Sequence, residues 1–143
     1  MPRLAIAYVV TGLIFLTLDG GWLALVGPTL YKPEIGPLLA EKVRAVPAVL
    51  FYLLYLVGLI YFCVAPNFEK GWVKAAISGA VLGLVAYGAY DLTCQAVMKT
   101  WSTKVSAADM IWGAFASAAA SAAGLAVTHA VHNRGAERGQ PDV

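Results

Sequence analysis

The sequence predicts an all-α integral membrane bundle of four transmembrane helices, and three observations carry that prediction. Of 143 residues, 60% are hydrophobic and 13% charged, against about 25% charged in an ordinary globular domain. Mean hydropathy is +0.73. Four apolar stretches, bounded by charge, Pro or Gly, reach or approach the roughly 20 residues needed to cross a bilayer core. A chain of this length holds one domain. Residues 1–131 are expected to form it, and residues 132–143, "HNRGAERGQPDV", a polar C-terminal tail that frays.

Span one covers residues 4–26 and is expected to stop at Gly27 and Pro28, since proline lacks the N–H that a continuing helix needs. Arg3 ahead of an apolar run has the outline of a secretory leader. The run is longer than a leader's apolar core and no small-x-small cleavage site follows, so the segment is expected to remain as a span. It contains one acid, Asp19. Twelve Leu, Ile, Val and Phe residues surround it, each favouring insertion by roughly 0.3 to 0.6 kcal/mol against about 2.5 to 3.5 lost on a central Asp. The helix therefore inserts with its acid, which sits roughly 10 Å inside the boundary at Val26 by helix rise. So short a side chain is expected to face the bundle or a wet cavity.

Span two covers residues 46–64. Tyr52 and Tyr55 lie roughly 9 and 13 Å into it, near the level of Asp19. Span three covers residues 72–95. Gly79, Gly83, Tyr87 and Asp91 recur on it at four-residue steps and share one stripe, and the GxxxG pair allows close helix approach. Span four covers residues 109–131, with Gly113 and Ser117 on one small-residue stripe and Gly124 on the next. Spans three and four are thus expected to form a tight pair. Asp109 is expected to cap the start of span four. Trp72, Trp101 and Trp112 are expected to anchor at the membrane interfaces.

Both termini share one face, A, in a four-span chain. Lys and Arg divide evenly between A and the opposite face, B, so the positive-inside rule sets no orientation. The amino terminus and Arg3 favour cytoplasmic termini. Acids gather towards B, where Asp19, Asp91 and Asp109 lie at or within helices. The motif D-x-x-W occurs twice there, as "DGGW" at residues 19–22 and "DMIW" at residues 109–112. The candidate polar cluster is Asp19, Trp22, Tyr52, Tyr55, Tyr87, Tyr90, Asp91, Asp109 and Trp112. Residues 27–47 are long enough to lie over the B end as a short helix.

Cys63 and Cys94 fall at opposite ends of the bundle, too far apart for a disulfide or a shared metal. His129 and His132 lack a third ligand and read as interfacial histidines, so no metal and no cofactor is expected. No phosphate loop, dinucleotide fingerprint, nucleophile elbow or zinc-protease helix occurs, and no basic patch suggests nucleic acid.

Four motifs in order, "LDGGWL" (18–23), "FYLLYLVGL" (51–59), "YDLTC" (90–94) and "DMIWG" (109–113), resemble those of the predicted bacterial membrane proteins grouped as domain-of-unknown-function family 2177. The resemblance extends to about Ala130. Cys94 stands where that family usually has Asn, and Ser102 where it usually has Pro, which withdraws any role resting on the amide. The resemblance implies a four-helix protein of the bacterial inner membrane and no particular activity.

Two functions from different classes fit these readings. One is a face-B pocket that binds or processes a lipid or other hydrophobic molecule. The other is a structural or accessory protein that associates with itself or a larger membrane complex through the small-residue faces of spans three and four. In that case Gly83→Leu is expected to change the oligomeric state. Proton-coupled transport ranks last, because it needs a continuous polar path to face A.

Overall fold

A computed structural model describes residues 3–138, which are helical almost throughout; no strand occurs among the described residues. The helices are α1 (Arg3–Val26), α2 (Lys32–Ile35), α3 (Ala45–Gly58), α4 (Trp72–Val97) and α5 (Thr103–Arg138). Four stretches are long and apolar enough to cross a membrane: Arg3–Leu38, Ala45–Asn67, Trp72–Val97 and Thr103–Arg134. Helix is the form such sequences must take, because hydrocarbon offers no partner to an unpaired backbone N–H or C=O.

Three boundaries differ from the sequence reading. The first helix does not stop at Gly27 and Pro28. It widens into a π-helical turn over Gly27–Tyr31 and runs on through α2 to a 3-10 turn at Gly36–Leu38. A proline inside a helix removes the N–H that would bond the carbonyl four residues back, here that of Ala24. The chain nevertheless continues by widening its register, with the Lys32 N–H bonding the Gly27 carbonyl, and the Thr29 hydroxyl donates to the carbonyls of Leu25 (3.1 Å) and Val26 (3.3 Å). Second, α5 begins at Thr103, so Asp109 lies in its second turn and does not cap it. The Ser102 hydroxyl sits at that helix start instead, accepting from the Val105 N–H at 3.4 Å. Third, α5 continues to Arg138, so the first part of the polar tail is helical; residues 139–143 lie outside the described residues.

Helices α4 and α5 pack along their length through the small residues. A Cβ on Gly83 would meet the Gly113 carbonyl and lie 2.7 Å from Ser117 Oγ, and one on Gly79 would meet the Ser117 carbonyl and lie 2.8 Å from Ser121 Oγ. Gly113 in turn makes room for the ring of Tyr87. Gly124 belongs to a different contact: it receives Thr11 of α1, so α5 is gripped by α4 on one side and α1 on another. These small residues are buried between helices of the same chain. Phe15, Leu56, Leu59, Ala116 and Ala120 fill the space between the helices. The outer side of α3, with Val46, Val49, Leu50 and Leu54, is exposed.

Each face is tied by one charged contact. On face A, Arg3 reaches Glu69 (3.3 Å), donates to His129 Nε2 (2.6 Å) and lies 4.0 Å over the Phe68 ring. On face B, Glu34 accepts from Lys104 (3.2 Å) and Ser102 (2.7 Å). That second contact joins α2 to the start of α5 and holds residues 27–41 over the bundle end.

Candidate functional site

Asp19 lies within α1, buried, at the wall of a cavity of about 1250 Å³ near face B. Residues of α1, α3, α4 and α5 line it, together with Pro28, Tyr31, Ile35 and Leu39 from the segment after α1. The segment following span one therefore contributes to the cavity wall, as an extension of the same helix.

Three neutral donors surround the Asp19 carboxylate. Tyr52 donates to Oδ2 at 2.5 Å, and Trp112 Nε1 and the Tyr87 hydroxyl donate to Oδ1 at 3.0 and 3.5 Å. Trp112 has no choice of role, because an indole N–H is a donor only. It is thus a member of the network. Asp109, one end of the second D-x-x-W motif, accepts from the Tyr31 hydroxyl, which itself accepts from Trp22 Nε1 at 2.7 Å. The two motifs are crossed. The tryptophan of the second bonds the acid of the first directly, and the tryptophan of the first reaches the acid of the second through Tyr31. Between them the indoles of Trp22 and Trp112 stack, with centroids 4.5 Å apart and planes 9° from parallel.

The remaining sequence candidates stand apart from the Asp19 carboxylate. Tyr55 does not reach it; its hydroxyl pairs with Ser117 Oγ at 2.7 Å, one turn deeper. Tyr90 lines the same cavity, 59% exposed, and lies edge-on to Trp101, another lining residue, whose N–H donates to Ser106 Oγ. Asp91 is 0% exposed, does not line the cavity, and has no hydrogen-bond partner for either oxygen among the described residues. It is buried beside the site and takes no part in the network. Cys63 and Cys94 are both free thiols, and no group of three metal-ligating side chains occurs among the described residues.

Tyr31, Lys32 and Ile35 line the cavity and were invisible to a reading that ended the first helix at Pro28. A signal was present. Lys32, Ile35 and Leu39 continue the three- and four-residue spacing of a helix past the proline.

Residues 4–126 match the family model described as predicted membrane protein (DUF2177). The chain belongs to this family. The match runs from α1 deep into α5 and so takes in every residue of the Asp19 and Asp109 networks in this DUF2177 protein. No curated protein and no solved structure matches it.

Proposed function

We propose that this DUF2177 protein binds a lipid or other hydrophobic molecule in the cavity beside Asp19, in a bacterial inner membrane with its termini in the cytoplasm. The observation that supports the reading most is the combination of a large, mostly apolar cavity with a few polar groups that converge in its wall and are fixed there by bonds to one another. Ligand sites are of that kind: apolar walls with a few fixed polar groups. A carboxylate intended only to tie helices needs no space beside it. Here Asp19 ties α1 to α3, α4 and α5, and the space remains.

Acid/base processing of the guest is the less supported part of the reading, since Asp19 is already engaged by three donors. Its role is better described as holding the wall than as moving a proton. The accessory-protein reading loses the surface it relied on, because the Gly79 and Gly83 face lies against α5. The exposed side of α3 is left as the membrane-facing surface.

Native mass spectrometry of protein extracted gently from its own membrane tests the proposal. The wild type is expected to carry a co-purifying hydrophobic molecule. Ala86→Trp, which places an indole in the cavity from α4, is expected to lose it while remaining folded. A wild type that carries no guest under any extraction, or a guest that Ala86→Trp retains, rejects the reading.

A further inference from the structure

The groups that line the cavity restrict what its guest can be. Among the described residues, the lining carries three carboxylates, Asp19, Glu41 and Asp109, and one cationic side chain, Lys32. Asp19 and Asp109 are buried, and neither is in an ion pair among the described residues, where the ion pairs are Arg3 with Glu69 and Lys104 with Glu34. Tyrosine and tryptophan donors spread the charge on each carboxylate without cancelling it. Acids within a membrane domain are costly and normally find a partner.

Aromatic side chains make up much of the same wall. Trp22, Tyr31, Tyr52, Tyr87 and Trp112 all line the cavity at the level of the two acids. An aromatic face attracts a cation, tryptophan most strongly, and a cage of such faces is the usual receptor for a quaternary ammonium group. The hydrogen-bond chemistry agrees. With three donors already on Asp19, a guest is offered a fixed negative charge more than a free acceptor. A quaternary ammonium group needs charge and no acceptor.

Resting on the ligand-binding reading above, we propose that the guest is an amphiphile whose polar end is an ammonium group. Its cationic end lies beside the aromatic rings near Asp19 and Asp109, outside the Trp22–Trp112 stack, and its apolar part runs along Leu23, Ile35 and Leu39. An anionic headgroup at this position meets two buried carboxylates and only Lys32 in its favour. A neutral one leaves both acids uncompensated. The cavity, at about 1250 Å³, exceeds the roughly 300–1,000 Å³ of common small-molecule sites and has room for part of an alkyl chain with the headgroup.

The full chain in neutral maltoside detergent, given tetradecyltrimethylammonium, tetradecyl sulfate or tetradecyl maltoside at equal concentration, tests this by native mass spectrometry, with Ala86→Trp as the background for adsorption. The ammonium probe is expected to bind the wild type about tenfold better than either of the others, within the range of cation–π and charge attraction together, and to fall to background in Ala86→Trp. Asp109→Asn is expected to lower its occupancy. Lys32→Gln, a change at an exposed residue that removes the repelling charge, is expected to raise it. Should the sulfate or maltoside probe bind the wild type as well as the ammonium probe and be lost in Ala86→Trp, the ammonium assignment is wrong and the hydrophobic pocket stands. Should no probe distinguish the wild type from Ala86→Trp, both fall.

Discussion

At the scale of single residues, Asp19 is worth the bonds it accepts. Tyr52→Phe removes only a hydroxyl, and a hydrogen bond to a charged group contributes about 1.5–3 kcal/mol. Asp19→Ala is expected to cost more than Tyr52→Phe, because it leaves Tyr52, Tyr87 and Trp112 without their acceptor at once. Unfolding free energies measured by denaturing-detergent titration check the order; an Asp19→Ala variant as stable as the wild type contradicts it. Helix rise alone brought Tyr52 to the level of Asp19, since both residues sit on regular helix counted from a membrane boundary. The same arithmetic placed Tyr55 nearby in depth and could not show that its hydroxyl turns to Ser117 instead. Depth is a property of position along one helix. Direction depends on how the helices rotate about their axes, and only packing decides that.

At the scale of helices, two classes of glycine behave in opposite ways. Gly83 lies where a Cβ meets the Gly113 carbonyl, and backbone cannot swing aside as a side chain does. Gly83→Ala is expected to destabilise the bundle by about 1–3 kcal/mol. Gly20 is exposed in the middle of α1 with nothing within 4 Å of a Cβ, so Gly20→Ala is expected to stabilise by about 0.5–1 kcal/mol through helix propensity. Opposite shifts of the unfolding midpoint in the same detergent verify both. The spacing of Gly79, Gly83, Gly113 and Ser117 made the α4–α5 contact legible, because close approach requires small residues at that period. Gly124 carried the same signal and belongs to α1. A small residue announces that something comes close, and its identity does not say which helix. Pro28 misled for a related reason: proline removes one N–H from the helix ladder, and the chain accommodates that loss by widening into a π-turn over Gly27–Tyr31 and running on.

At the scale of the whole molecule, the two charged ties define the sides. Cysteines introduced at Glu34 and Lys104 are expected to react with an impermeant thiol reagent from one side of the membrane, and those at Arg3 and Glu69 from the other. Labelling of all four from one side overturns the four-span arrangement. The class of fold was readable from hydropathy because each span carries its own record of the solvent around it. The cavity was not, since part of its wall comes from residues beyond Pro28, on a helix that continues past the proline. Trp22 and Trp112 lead to a separate consequence. Two indoles stacked at 4.5 Å are close enough for their strong far-ultraviolet transitions to mix, which splits the circular dichroism of the pair there into bands of opposite sign when the rings are rotated relative to one another in their planes. Trp112→Phe is expected to abolish that couplet while keeping an aromatic ring in place. Since both rings line the cavity, a change in that couplet on adding a candidate guest is a label-free readout of the binding proposed above.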